Sequence, residues 1–243
     1  MDLIAFVGPS LGSLRDRYAG QIDLRPPAAC GDIARAAQSR PRAIGLIDGL
    51  FETRPSPWHK EILWALSQGI AVFGGASMGA IRAAELTAFG MTGIGRVFEA
   101  YHSGLLEDDD EVAVQHGPAE MGYVLLSESM VNIRECLSKV RHEGLLGGAD
   151  AELACQVAKA LFYKDRTWDR IFEGSLRLGV AQSDLRAAAD WLEACPCDIK
   201  RDDACALLEA MLAFEAPSRQ PALPFPNTLY WEQFRARSLE ASA

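Results

Sequence analysis

A strand, a tight turn and a helix are encoded in succession by Ile70-Ala-Val-Phe-Gly-Gly-Ala-Ser-Met-Gly-Ala-Ile-Arg-Ala-Ala-Glu-Leu86. The apolar run 70–73 contains β-branched and aromatic residues and ends at two glycines, which is typical of a buried strand. From Met78 onward the residues are mostly strong helix formers. The sequence therefore predicts a sharp passage from strand to helix at residues 74–78.

The turn within this stretch fits the pattern G-x-S-x-G, with Ser77 at its centre. Between a strand and a helix, this pattern is typical of a nucleophile elbow, in which a strained backbone lifts the serine hydroxyl above the sheet. The N–H of Met78, at the start of the helix, is then free to donate to an oxyanion. The alternative is that Ser77 only caps the helix and that Gly75 and Gly79 serve packing.

Two further apolar runs, 3–7 and 43–47, predict strands that end in turns of small and polar residues. These turns are Gly8-Pro9-Ser10 and Asp48-Gly49. Since helical segments separate the strands, we expect βαβ units and a sheet whose strands end on one edge. The sequence thus predicts an α/β fold: an open, mostly parallel sheet with flanking helices, and a ligand crevice where the turns meet Ser77.

The rest of the chain is predicted to be mainly helical. The glycine-rich segment 89–104 is interpreted as irregular, the five carboxylates of 107–111 as a solvated loop, and 112–115 as one more strand. Helical periodicity then continues from residue 120. The expected domains are an α/β core (1–118), an all-helical C-terminal subdomain (119–215), and a Pro-rich strap with a C-terminal docking segment (216–243).

Composition is that of a soluble globular protein without a membrane span or a signal peptide, so we expect a cytoplasmic protein. The formal net charge of −9 disfavours nucleic acid and anionic membranes as partners. The cysteines are scattered, as expected for reduced thiols: Cys30, Cys136, Cys155, Cys195, Cys197 and Cys205. The sequence predicts no cofactor and, since its histidines lack i, i+4 pairing, no metal site.

A serine nucleophile needs a base and a group that orients the base. His59 is the candidate base, because it begins the helix after the third strand and lies close in sequence to Asp48 and Glu61. The alternative is a surface histidine at a helix start. Cys30, in a loop, is the alternative nucleophile.

Arg82 and Glu85 follow Ser77 on the same predicted helix. Their spacing allows an ion pair within the helix. Alternatively, the guanidinium of Arg82 holds a substrate carboxylate beside the oxyanion site.

Several motifs together give the chain a resemblance to the TfuA family over roughly its first 140 residues. They are Gly8-Pro9-Ser10-Leu11, Gly31-Asp32, Ile47-Asp48-Gly49-x-Phe51-Glu52, Trp58-His59-Lys60-Glu61-Ile62, Gly75-Ala-Ser-Met-Gly-Ala-x-Arg82-Ala-Ala-Glu85-Leu86, Phe89-Gly-Met91-x-Gly93-x-Gly95, Asp108-Asp-Asp-Glu-Val-Ala-Val114 and Val131-Asn-Ile-Arg134. One departure is Ala29-Cys30, since the resemblance predicts a basic residue before Gly31-Asp32.

The resemblance implies a function in peptide backbone thioamidation, beside a YcaO-type enzyme. It implies hydrolysis of the C-terminal thiocarboxylate of a ThiS-like sulfur carrier protein, which releases sulfide for the YcaO partner. Attack on a thiocarboxylate passes through an oxyanion, for which Met78 N–H and a second donor from residues 8–11 are the expected partners. Lys60 or Arg82 would receive the anionic tail.

Two other functions remain open at this point. One is a non-catalytic adaptor that recruits a sulfur donor to the YcaO enzyme, and the other is a serine hydrolase of small esters. The sequence leaves open whether the protein is a monomer or a homodimer.

Overall fold

The computed structural model describes residues 2–215 and 223–240. In this part of the chain there are five strands: β1 (Leu3–Phe6), β2 (Asp23–Arg25), β3 (Ala43–Leu46), β4 (Ala71–Gly75) and β5 (Thr92–Ile94). The α-helices of the same residues are α1 (Arg15–Tyr18), α2 (Asp32–Gln38), α3 (His59–Ser67), α4 (Met78–Leu86), α5 (Arg96–His102), α6 (Met130–His142), α7 (Gly148–Ala160), α8 (Trp168–Arg177), α9 (Gln182–Ala194), α10 (Ile199–Ala213) and α11 (Leu229–Glu240). They form two compact units, residues 1–107 with 201–243 and residues 108–200.

The first unit is built on a parallel sheet with the strand order β2-β1-β3-β4-β5. Every neighbouring pair among these strands is parallel; in β1, for example, Ile4 lies beside Asp23 of β2 and Ile44 of β3. The order reverses between β1 and β3, so the loops after these two strands leave the sheet in opposite directions. The prediction of an α/β fold with an open parallel sheet, flanking helices and a helical C-terminal region is confirmed.

Alternate residues of the strands enter two hydrophobic cores, one on each face of the sheet. On one face, Ile44 and Leu46 of β3 pack with residues of α2, α3, α4 and α11. On the other face, Ala43 packs with Leu207 and Met211 of α10. This alternation follows from the period of two along a strand and buries both faces of the sheet.

The glycine-rich segment 89–104 is ordered, so its interpretation as irregular is wrong. It contains the edge strand β5 and the helix α5. A Cβ at Gly93 would stand 2.1 Å from the Phe98 ring, and Gly95 has φ 96° and lies against the carboxylate of Asp203. These glycines therefore permit close packing in a strand and a helix start, which a composition rich in glycine does not reveal.

The second unit contains α6 to α9, and its core is formed by residues such as Ile133, Leu137, Ala154 and Ile171. Residues 112–115 are not a strand, contrary to the prediction. In residues 2–215 and 223–240, no helix has the length and apolar character needed to cross a membrane. The first seven residues of the predicted strap, 216–222, lie outside the described residues.

Candidate functional site

The predicted elbow is a sharp bend between β4 and α4. Ala76 has φ 64°, a left-handed conformation that is uncommon for a residue with a side chain. Ser77 follows with φ −131° and is the N-cap residue of α4. The positive φ therefore falls on Ala76, one residue before the serine for which the sequence predicted the strain.

Glycines around the bend allow the backbone of α4 to approach the sheet. A Cβ on Gly79 would stand 1.7 Å from the carbonyl oxygen of Leu46, and one on Gly75 would stand 2.5 Å from that of Ile94. The N–H of Gly79 donates to Ile47 O at 3.1 Å, which fixes the first turn of α4 on the end of β3. Both glycines of the G-x-S-x-G pattern thus have a packing function.

The hydroxyl of Ser77 has no hydrogen bond to any residue that the structure describes, and it does not cap α4. The side chain is nevertheless buried, with 3% of the residue exposed. Within residues 2–215 and 223–240 the N–H of Met78 also has no acceptor, whereas the N–H of Ala80 donates to Ser77 O. The bend thus holds an unbonded hydroxyl beside an unbonded N–H at the positive end of a helix dipole.

The turn after β1 lies against Asp48, which follows β3. The carboxylate of Asp48 accepts hydrogen bonds from Gly8 N at 2.8 Å, Ser10 N at 3.1 Å and Ser10 Oγ at 2.6 Å. Leu11 N donates to Gly8 O, and Pro9 has no N–H. The second oxyanion donor predicted among residues 8–11 is therefore occupied within the turn.

Gly49, the next residue, approaches the other side of the bend. A Cβ on Gly49 would stand 2.0 Å from Met78 Sδ, so the methionine side chain packs directly on the backbone of Gly49. The turns after β1, β3 and β4 therefore meet at the carboxyl edge of the sheet, as the sequence predicted.

Glu61 is fully buried and holds the loop before α2. Its carboxylate accepts from Gly31 N at 2.9 Å, Ala34 N at 3.2 Å and Trp58 N at 3.1 Å. Burial raises the pKa of Glu61 above its ordinary value, and these donors oppose the shift. Burial, with the adjacent Glu61 carboxylate, also raises the pKa of Cys30 to about 11, so this thiol is protonated at neutral pH and is a poor nucleophile.

His59 pairs with Glu85 rather than with Asp48 or Glu61. Its Nε2 lies 2.7 Å from Glu85 Oε2, and 2.7 Å separates the same oxygen from Arg82 Nη1. Arg82 also donates to Pro57 O and to Ser56 Oγ. The arrangement thus contains the predicted ion pair of α4, and three donors of Arg82 are already occupied.

His59, Arg82 and Glu85 form a charged cluster at the surface, with 48% of the His59 side chain exposed. Glu85 lies seven residues beyond Met78, which is about 10 Å along the axis of α4. Among the described residues no hydrogen bond joins this cluster to Ser77. Sequence spacing could not have paired His59 with Glu85, because the contact depends on how α3 packs beside α4.

An aromatic surface lies beside the charged cluster. Trp58 stacks on two rings of α11, with centroid distances of 4.5 Å to Phe234 and 6.2 Å to Tyr230. Lys60 Nζ lies 3.2 Å from Thr228 Oγ1 and 5.4 Å from the centroid of the Phe225 ring. The helix α11 and the residues just before it therefore contribute to the surroundings of residues 58–60; the sequence predicted a docking segment here but not the surface that it contacts.

The sequence model of the TfuA-like protein family matches residues 48–167, about half of the chain. The chain is a TfuA-like protein. TfuA-like proteins are associated with YcaO enzymes and with thioamidation, and this protein has a role in that context. The match includes Asp48, Ser77 and the charged cluster. No curated protein matches the chain.

In this TfuA-like protein the acidic run is solvated only in part, since residues 107–109 are exposed whereas Glu111 is buried. Asp108, Asp110 and Glu111 bring carboxylate oxygens within 4.8 Å of one another, a spacing suited to a metal ion. Lys159 pairs with all three. Arg134 pairs with Glu111, which is 4% exposed, and the buried Arg166 pairs with Asp110.

Of these three cations, Lys159 is the one whose Nζ contacts all three carboxylates, where an ion bound by them would lie. Although burial acts to raise their pKa values, Lys159 and the two arginines hold the pKa of Asp110 and Glu111 below their ordinary values. The carboxylates are therefore neutralised by ion pairs, and the group is a structural network of the second unit.

Proposed function

We propose that this TfuA-like protein hydrolyses the C-terminal thiocarboxylate of a ThiS-like carrier protein and supplies the released sulfide to a YcaO enzyme. The observation that carries the proposal is the bend at Ser77, where an unbonded hydroxyl and the unbonded N–H of Met78 lie at the start of α4. Hydrolysis converts the thiocarboxylate and water to a carboxylate and hydrogen sulfide, so it needs no cofactor.

In this proposal Ser77 is the nucleophile or the group that positions the attacking water. Attack on the thiocarboxylate carbon places negative charge on its oxygen, and Met78 N–H donates to that oxygen. Gly49 N–H is the candidate for a second donor, because it has no acceptor among the described residues and Gly49 lies against Met78. Gly8 and Ser10 support the site indirectly, since their N–H groups hold Asp48.

The charged cluster has a separate part in the proposal. A carrier protein that ends in a thiocarboxylate brings a negatively charged tail, and Arg82 has donors beyond the three that are occupied. Lys60, beside the aromatic surface, is a second cation for the same chain end. His59 is held by Glu85 and acts as a base only if the approach of substrate brings it nearer to Ser77.

The test compares sulfide release from a thiocarboxylated carrier by the parent protein and by Ser77→Ala. Removal of a nucleophile should lower kcat by roughly 10³-fold or more. Ser129→Ala is the matched control, because Ser129 is also a buried N-cap residue without a capping hydrogen bond. Equal sulfide release by Ser77→Ala and Ser129→Ala would exclude the serine mechanism, and no release by the parent protein would exclude the hydrolase.

The second candidate function is an adaptor that recruits a sulfur donor to the YcaO enzyme. The low exposure of Ser77 favours it, since an adaptor does not need access to this hydroxyl. The adaptor predicts that the YcaO enzyme is retained equally by the parent protein, Ser77→Ala and His59→Ala in a pull-down, while purified protein never releases sulfide.

A further inference from the structure

Two cysteines that are far apart in the sequence meet in the second unit. Cys136 lies on α6, and Cys197 lies in the segment that joins α9 to α10. Their Sγ atoms are 2.6 Å apart, which is only about half an ångström longer than a disulfide bond. Sequence spacing gave no sign of this pair, because 61 positions separate the two residues.

The two thiols differ in their access to solvent. Cys136 is buried, with 4% of the residue exposed, whereas Cys197 is partly exposed. Cys195, two residues before Cys197, is exposed. A small reagent therefore reaches the segment 195–197 from solvent, and Cys136 reacts only with a group that is already bonded to Cys197.

From this geometry we infer that Cys136 and Cys197 are a thiol–disulfide site, which a low-molecular-weight disulfide oxidises reversibly. This inference does not depend on the reaction proposed for Ser77. It also departs from the sequence-based expectation that all six cysteines are isolated reduced thiols.

The exchange between the protein thiols and the small disulfide proceeds in two steps. The thiolate of Cys197 attacks one sulfur of the small disulfide, whose S–S bond breaks and whose other half leaves as a thiol after taking up a proton. Cys136 then loses its proton and attacks the sulfur of Cys197, so that the second half leaves as a thiol. The protein loses two electrons and two protons, and the small disulfide gains them.

The order of these steps follows from the surroundings of Cys136. Burial and the adjacent Cys197 raise the pKa of the Cys136 thiol, so it remains protonated at neutral pH and is not the first nucleophile. Its position against Cys197 suits it to the second step, where the two sulfurs are already in contact. A thiol reductant reverses the reaction through the exposed side of Cys197.

The test uses purified full-length protein, reduced and then incubated with oxidised glutathione. Free thiols are alkylated after unfolding, and peptides are identified by mass spectrometry. We expect the loss of two alkylatable thiols and a peptide pair joined through Cys136 and Cys197. Retention of all six free thiols, or a link between any other two cysteines, would overturn the inference.

Single variants distinguish the two steps. Cys136→Ser should accumulate a glutathione adduct on Cys197, whereas Cys197→Ser should carry no adduct on Cys136. Cys155→Ser is the matched control and should still form the link, since Cys155 contacts Arg134 instead of a thiol. A bond that closes so long a loop should raise Tm by about 5–15 °C in the oxidised parent and not in either partner variant.

Discussion

Gly79→Ala tests the packing of the elbow directly. The added Cβ would lie 1.7 Å from Leu46 O, whereas real Cβ atoms essentially never come within 3.0 Å of another heavy atom. The first turn of α4 must therefore move away from the end of β3 by about 1.3 Å. That displacement breaks or lengthens the 3.1 Å hydrogen bond from Gly79 N to Ile47 O.

The expected cost combines two effects. Overpacking of a core by one methyl group destabilises by about 1–3 kcal/mol, and an unsatisfied buried N–H adds about 1–3 kcal/mol. Replacement of glycine by alanine in a helix offsets up to about 1 kcal/mol. We therefore expect Gly79→Ala to lower the free energy of unfolding by about 2–5 kcal/mol and Tm by about 5–15 °C.

The measurement is thermal and urea unfolding followed by circular dichroism. Gly148→Ala is the matched control, because Gly148 is the first residue of α7 and an added Cβ would meet nothing closer than 3.6 Å. It should be neutral or stabilising by up to about 1 kcal/mol. If the two variants differ by less than about 1 kcal/mol, the close approach of α4 to β3 is not the reason for a glycine at position 79.

The remaining predictions concern two carboxyl groups. Asp48→Ala leaves three buried donors of Gly8 and Ser10 without their acceptor and should destabilise by about 3–5 kcal/mol in urea unfolding; a loss below about 1 kcal/mol would show that water replaces the carboxylate. Burial, with the nearby Asp198 carboxylate, raises the pKa of Glu128 to about 7. The folded state then binds the proton of Glu128 more tightly than the unfolded state does. The stabilisation from this proton is complete below pH 4.5, the pKa in the unfolded chain, and is lost as the pH rises to about 7. Measured at several pH values, the free energy of unfolding should decline by up to about 3 kcal/mol between pH 4.5 and 7 in the parent protein and not in Glu128→Gln. The same dependence on pH in the variant would contradict the assignment to Glu128.

Local patterns predicted β1, β3, β4 and the elbow because the physical causes are local, whereas they missed β5 and wrongly predicted a strand at 112–115. Apolar runs that end in Gly8-Pro9-Ser10, Asp48-Gly49 and the Gly75–Gly79 turn specify a buried strand and its end without reference to the rest of the chain. The meeting of these turns at one edge then follows from the parallel connections alone.

Contacts between distant segments were beyond such reasoning. The acidic run was taken as solvated, yet Glu111 is buried because Arg134 and Lys159 come to it from two helices. In the same way, Asp48 and Glu61 were predicted to orient His59. Their carboxylates instead accept hydrogen bonds from backbone N–H groups of loops that fold against them. A carboxylate in a sequence does not reveal its donor, since backbone donors occur at every residue except proline.

The position of α10 has a consequence for synthesis of the protein. Leu207 and Met211 of α10 pack on one face of the sheet, whose last strand ends at Ile94. More than a hundred residues of the chain therefore lie between the last strand and the residues that bury this face. While the ribosome is still translating that interval, the nascent sheet presents an uncovered apolar face. Such a face is a natural binding site for a chaperone, and a message truncated before codon 204 would yield a polypeptide that aggregates.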